Sequence, residues 1–417
     1  MLLLAWMSLA FWHSVKPLPP GVHLISQTSR LSDSDVEFLY ESPRHRAPSR
    51  DLSAIDRAEQ LIVLDRSPVP TDLAQHLLGR KRLRPTLKIV LVTDSGRATS
   101  GAAPAQNLAA LERAGIVVAR VRLDRLRDPN PLYSGLWRLA FGWWNDPFDE
   151  TPGLAPLAAW ARLQNFKSDQ RQLMVADDGS GGWIAIVAPA GASPSLIVRG
   201  LLAHAMIAGE LQIAGWSTDD DRLPLAPQSQ GRGVGSVDAR FLTEGAIESA
   251  LLDALQTAGG ADRVQIAVDD LSDRRLITAA LRAAARGARL QVLLGRNPMP
   301  NQPVAAELLR EGAGRIQVRW YPEGLGGRHP SLLVLRHGAD VWVNFGSANF
   351  TRRDLGDLNL AASVELRMPA RAAAAQAAIG YFDAAWAGAS ADTLFAETSA
   401  AAYWRYRLAE ASGLSRF

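Results

Sequence analysis

The stretch that decides the fold is Val264-Gln-Ile-Ala-Val-Asp269, followed by a helical Arg274 to Arg286, then Leu290-Gln-Val-Leu-Leu294 and Gly314-Arg-Ile-Gln-Val-Arg319. Short aliphatic and β-branched runs, separated by Ala/Leu/Arg-rich helical segments, predict an α/β protein with buried strands. The same order stands earlier in the chain. Leu61-Ile-Val-Leu-Asp65 precedes a helical Leu73 to Leu83, then Lys88-Ile-Val-Leu-Val-Thr-Asp94 and Gly115-Ile-Val-Val-Ala-Arg120. The three strands recur at offsets of 203, 203 and 199 residues, which argues for two copies of one α/β unit. A fourth pair, Gln170 to Asp177 and His329 to Arg336, has an offset of only 159. The first copy therefore carries about 40 additional residues between Asp124 and Asn165.

That insert, 124–165, is rich in Trp and Pro. Its rings can cap a core, rest on a lipid interface or line a substrate channel. Ser217 to Val237 is Asp-, Gln- and Gly-rich and reads as a boundary. The expected organisation is a segment 1–15, a connecting segment 16–60, a first unit 61–235 and a second unit 236–417.

With 417 residues, 47% hydrophobic and 21% charged, the chain can build substantial cores and is not mainly disordered. The absence of cysteine excludes disulfides, thiolate zinc sites, iron–sulfur clusters and a cysteine nucleophile. A net charge of +3 gives weak grounds for a nucleic-acid partner. Met1 to Trp12 is apolar but for Ser8. As a helix, 1–15 spans about 22 Å, short of the roughly 30 Å hydrocarbon core. It lacks the flanks of a secretory signal. It reads as a single membrane anchor or, failing that, as a buried or interfacial helix.

The chemistry-bearing residues cluster late in the chain. Gly346-Ser-Ala-Asn349 follows the strand Asp340-Val-Trp-Val-Asn-Phe345, and His329 stands at a strand start. Small residues after a buried strand let backbone N–H groups face an oxyanion, and the Ser and Asn side chains add donors. A lone histidine at a strand start is more often structural than catalytic; its combination with Gly-Ser-Ala-Asn shifts the balance toward chemistry. His13, His23, His45, His76 and His204 show no metal-ligand spacing. Neither a P-loop nor a well-placed Gly-x-Gly-x-x-Gly is present, so no metal and no cofactor is expected.

His329 with Leu332-Leu-Val334, then Gly346-Ser-Ala-Asn-Phe-Thr-Arg-Arg353 and Leu355-Gly-Asp-Leu-Asn-Leu360, resembles the second half of phospholipase D superfamily proteins. The likeness is strongest to membrane-anchored, cardiolipin-synthase-like members. Asp124 to Ser134 and Leu163-Gln-Asn-Phe-Lys167 are similar to segments before that group's first motif. The resemblance implies two pseudo-symmetric α/β/α units, each with a mixed sheet and each giving one HxKxxxxD motif to a shared site, beside a short N-terminal membrane helix. It implies a histidine that attacks phosphorus, a second that protonates the leaving oxygen, and Lys and Asn side chains on the phosphoryl oxygens, without a metal. It also implies a phospholipid or phosphodiester ligand, a bacterial inner-membrane location, and an active relative or a second copy as partner.

The motifs depart from that pattern. The first His falls on Gln170 and the first Lys on Gln172, with only Asp177 kept. In the second motif His329 remains, but Ser331 holds the Lys position and Arg336 the Asp position. Ala188-Pro-Ala-Gly191 replaces the first Gly-Ser-x-Asn, and Ala361 stands where related sequences often carry an acid. The expected residual set is His329, Ser347, Asn349 and Asp177, with Lys167, Gly346 and Asn349 as phosphate-binding candidates. His337, at the far end of its strand, is a poor stand-in. Losing one oxyanion donor costs about 3 kcal/mol of transition-state stabilisation. Losing several donors and one His implies well beyond roughly 6 kcal/mol if the family mechanism is required. The reading is an impaired enzyme or phosphate-binding pseudoenzyme. The rivals are an active phosphodiesterase or phosphatidyltransferase using His329, and a tethered scaffold.

Overall fold

The computed structural model describes residues 1–40, 50–94, 102–141, 167–187, 194–227, 233–322, 329, 331–392, 394–396 and 399–412, and its strands form two mixed sheets. In chain order the first strands are β1 (Ser29–Leu31), β2 (Val36–Leu39), β3 (Leu61–Asp65), β4 (Lys88–Thr93) and β5 (Val117–Arg120). Next come β6 (Leu173–Asp177), β7 (Trp183–Val187), β8 (Ser195–Arg199), β9 (Val237–Thr243) and β10 (Arg263–Val268). The last are β11 (Arg289–Leu294), β12 (Ile316–Trp320), β13 (Ser331–His337), β14 (Asp340–Gly346) and β15 (Ala362–Pro369).

One sheet runs β2-β8-β7-β6-β3-β4-β5, the other β1-β9-β15-β14-β13-β10-β11-β12. Apart from β1, the two sheets read in the same order. Pairing is parallel where helices cross over, as in β3–β4–β5 and β10–β11–β12, and antiparallel elsewhere. Register fixes equivalent positions. Asp65 lies opposite Leu173, and Ala267 opposite Leu332. Two residues further on, Ser67 and Asp269 therefore hold equivalent places.

The period-2 alternation of the strands divides the apolar side chains between faces. Val63, Val90 and Val92 turn to a central core, which also takes Ala267, Val343 and Phe345 of the other sheet. Ile62, Ile89 and Leu91 face an outer core beneath the helices Arg50–Arg57 and Thr71–Leu83. Val264, Ile266 and Trp342 face a second outer core with the helices Gly245–Thr257 and Arg274–Ala285. Two helices lie in the central layer, Leu201–Ser217 and Ala373–Gly388.

The inner helices join the expected pair of α/β/α units. The helix Ala373–Gly388 of the second half places Tyr381 against Phe38 of β2, with ring centroids 6.0 Å apart. Phe38 in turn meets Phe345 of β14 edge-on at 5.1 Å. The central layer is shared. The segment 16–60, read as a connector, gives β1 to one sheet and β2 to the other. It enters beneath the central helix at Gly21, whose φ of +83° and the 2.8 Å from an added Cβ to the Gly209 carbonyl exclude a side chain.

The structure does not establish the expected N-terminal membrane anchor. The helix Leu2–Val15 has 14 residues, and no helix among the described residues is long and apolar enough to cross a membrane. It packs along Pro131–Phe141: Trp6 Nε1 donates to the Leu132 carbonyl at 2.8 Å, and Gly135 lies against Trp6. The later part of the Trp-rich insert, 142–165, lies outside the described residues, as does Ala188-Pro-Ala-Gly191.

Candidate functional site

The start of β13, the end of β14 and the start of β15 come together on one edge of the eight-stranded sheet. His329 sits there, immediately before β13. Its ring Nδ1 donates to Asp269 Oδ1 at 2.7 Å, and its backbone N–H donates to Asp269 Oδ2 at 2.9 Å. Tyr321 stacks on the imidazole, with centroids 3.6 Å apart and planes within 10°. Asn301 braces the loop that carries Asp269, donating to the Asp269 and Gly295 carbonyls and accepting from the Leu271 N–H. Nδ1 is thereby committed. Nε2 has no hydrogen-bond partner among the described residues, and the side chain keeps 18% exposure. The arrangement is that of a nucleophile or general base oriented by a carboxylate.

Ser331, at the missing Lys position, lies opposite Gly346 and donates its hydroxyl to the Gly346 carbonyl at 2.9 Å. Gly346 is confined: an added Cβ would lie 2.2 Å from the Ala362 carbonyl. Ser347 exchanges hydrogen bonds with the Ala362 backbone, and the Asn349 N–H donates to Asp354. These neutral groups surround His329's strand start without a lysine.

The first motif reaches the same seam from the other side. The Gln170 N–H donates to the Leu360 carbonyl at 2.7 Å, Leu360 returns a bond to Ser168, and Ser168 donates to Asn359 Oδ1. The stretch Asn359–Ala362 thus holds Ser168 and Gln170 at one end and Ser347 at the other. Gln170 and Gln172 are buried, and Gln172 donates to the Ser67 carbonyl at 3.1 Å.

Between the two glutamines, Arg171 is fully buried. Its guanidinium reaches Glu210 Oε1 at 2.9 Å, Glu244 Oε1 at 2.8 Å and the Gly21 carbonyl at 2.8 Å. Burial opposes its charge, but Glu244, Glu210 and Asp65 outweigh that and raise its pKa. Acids outnumber the cation here. Burial pushes Asp65 well above the carboxylate range, reinforced by Asp169 and Glu210. Burial also pushes Asp169 up to about 8, against the pull of Arg171 and with help from Asp94 and Glu210. Glu244 also accepts the Ala361 N–H at 2.9 Å, so a carboxylate from another element stands at the residue where Ala361 lacks one.

Two sequence candidates are otherwise engaged. Lys167 is not a solvated surface lysine. Its side chain is 7% exposed, and Nζ lies 2.5 Å from Asp128 Oδ1 and donates to the Leu123 and Leu126 carbonyls. Burial pulls its pKa down to about 8 despite Asp128. Asp177 anchors structure. It closes the far end of β6, and its carboxylate accepts from the Glu59, Gln60, Leu61 and Gly179 N–H groups. Arg336, at the matching place on β13, is exposed. There Asp262 accepts the Gly259 N–H and pairs with His337.

Sequence reasoning missed Asp269, Tyr321, Asn301 and Arg171. Asp269 left a signal, an acid closing a buried strand, a place where a carboxylate needs a partner. Arg171 left none beyond its position between two motif residues.

A family model described as "Cardiolipin synthase, PLD-like domain" matches residues 251–386, which span this edge and His329. Over those residues the chain matches a phospholipase D-like domain. Among solved structures it is similar to phosphatidylserine synthase from Haemophilus influenzae Rd KW20 at 12% identity, covering 92% of this chain and 90% of that one, with a TM-score of 0.56. That likeness concerns the fold of both halves. A shorter similarity, at 16% identity and a TM-score of 0.30, is to the phospholipase D family member Nuc from Salmonella typhimurium, covering 36% of this chain and 96% of that one. No curated protein sequence matches the chain.

Proposed function

We propose that this phospholipase D-like protein binds a phosphodiester headgroup at His329 but no longer turns it over by the two-histidine route. The observation that carries the reading is the asymmetry of the seam. One side keeps His329 oriented by Asp269; the other presents Gln170 and Gln172 around a buried Arg171 network. An amide can neither attack phosphorus usefully nor shuttle a proton. Both motif lysines are replaced, and Lys167, three residues before the first motif, is tied to Asp128. The ligand class comes from the superfamily, and membrane association with an active relative or a second copy belongs to the same reading.

The test is phosphodiester turnover by the purified chain beside His329→Ala. The expected result is no turnover above the variant's level together with saturable headgroup binding. Robust turnover that disappears in the variant would overturn it.

One observation favours a second reading. The open Nε2 of His329, backed by Asp269, has the geometry of an intact nucleophile. A single-histidine phosphodiesterase would form a phosphohistidine at residue 329, and trapping that species would decide for it. A cleft that binds no phospholipid headgroup at all would instead leave a scaffold.

A further inference from the structure

Three of the four non-glycine residues with positive φ among the described residues meet at one place, away from His329. They are His23 (φ 57°), Glu244 (φ 44°) and Asp357 (φ 60°). Each such conformation costs roughly 1–3 kcal/mol and persists only where its surroundings enforce it. Here their side chains interlock. The His23 N–H donates to Glu244 Oε2 at 2.9 Å, and the His23 ring Nδ1 donates to Asp357 Oδ1 at 2.9 Å. Asp357 Oδ1 also accepts the Gly245 N–H at 2.9 Å. Arg127 completes the group, with Nη1 3.5 Å from Asp357 Oδ2 and Nε donating to the Lys16 carbonyl.

The most exposed members of the cluster are His23 and Arg127, while Glu248, paired with Arg275, also lies near His23 and Asp357. The His23 side chain is 42% exposed and Arg127 31%, while Asp357 beneath them is 10% exposed. The buried carboxylate orients an imidazole and a guanidinium whose remaining edges face outward. With Nδ1 committed, His23 Nε2 has no hydrogen-bond partner among the described residues. It stands beside the planar fork of Arg127, which suits phosphate oxygens.

Position separates this cluster from the seam. It sits at the end of β9, where Leu24 N–H donates to Thr243 Oγ1. Thr243 is three strands away from Ser331 along the sheet edge, about 14 Å at roughly 4.8 Å per strand. The strand end that carries the cluster is thus about three strand spacings from the one that carries His329. The cluster nevertheless touches the seam, because Asp357 leads into Asn359 and Leu360, which hold Ser168 and Gln170.

We infer that His23, Arg127 and Asp357 form a second ligand site, one that takes a phosphate group, with the imidazole and guanidinium as donors and Asp357 as the positioning carboxylate. The site binds whether or not His329 is functional.

The experiment is calorimetric titration of the full chain with inorganic phosphate at constant ionic strength near pH 6, using the native chain, His329→Ala, and His329→Ala combined with His23→Gln or with Arg127→Gln. Thermal melts confirm that each variant is folded. Saturable binding is expected to remain in His329→Ala, which removes the proposed headgroup site and reads the second site alone. Placed in that background, His23→Gln and Arg127→Gln are each expected to lose about tenfold or more. A parallel arm uses phosphatidate vesicles against phosphatidylcholine vesicles. His23-dependent binding in that arm alone assigns the phosphate to a lipid headgroup; in the first arm it assigns a free phosphate. Absence of saturable binding in both arms overturns the proposal. So does binding that vanishes in His329→Ala, or that survives undiminished when His23→Gln is added to it.

Discussion

Asp269 takes two donors of His329 at once, the ring Nδ1–H at 2.7 Å and the backbone N–H at 2.9 Å. The pair fixes both the tautomer and the orientation of the imidazole, since each carboxylate oxygen has its own donor. Orienting partners of this kind are worth about 10- to 100-fold, and more when the wrong tautomer results. Any phosphodiester turnover the chain retains is expected to fall at least about 100-fold in Asp269→Asn. A kinetic comparison with the native chain checks this, and undiminished turnover removes Asp269 from that role.

Lys167 offers a contrasting case. Its ammonium is enclosed by Asp128 and two carbonyls, and Asp128 also receives Arg138. Lys167→Met is expected to leave headgroup binding within about twofold, because no phosphate reaches the ammonium. Asp128→Asn is expected to destabilise the fold by about 3–5 kcal/mol, since it leaves buried cations unmatched. Urea unfolding measures the second effect. A tenfold or greater loss of binding in Lys167→Met would restore it as a phosphate ligand.

Arg171 joins elements that are far apart in the chain: Glu210 on the central helix, Glu244 before the helix Gly245–Thr257, and Gly21 of the incoming segment. Arg171→Met leaves two buried glutamates without their cation, and a loss of about 3–5 kcal/mol is expected in denaturant unfolding. Adding Glu210→Gln should recover part of it, because one uncompensated acid is then removed. If the double variant is no more stable than the single one, the carboxylate does not carry the penalty.

The strands were legible because their side chains are buried on both faces, leaving runs such as Leu61-Ile-Val-Leu-Asp65 that no helix would show at that length. His329 and Gly346-Ser-Ala-Asn349 were legible because neighbouring strands bring sequence-distant residues to one edge in a fixed register. The fate of Lys167 was not, since its partner Asp128 and the carbonyls of Leu123 and Leu126 lie some 40 residues upstream. Nor could Met1 to Trp12 disclose its packing partner: apolarity alone does not distinguish a lipid neighbour from the helix Pro131–Phe141.

Asp169 gives the seam a pH dependence with a definite sign. Its carboxyl is buried and its pKa is pushed up to about 8, from an ordinary value of 3.8. Between those values the folded chain holds a proton that the unfolded chain has released, so stability contributed by this group falls as pH rises. The slope is about 1.4 kcal/mol per pH unit for one proton. Asp65, raised in the same direction beside it, adds to the trend. Asp169→Asn keeps an oxygen for the Arg171 N–H, which Asp169 Oδ1 accepts at 3.0 Å, and removes the titration. Unfolding free energies measured from pH 5 to pH 8 should therefore decline less steeply in the variant, by up to one proton's slope. Parallel curves for the two proteins would show that Asp169 is already ionised in the folded chain, and that Arg171 holds more negative charge than this account gives it.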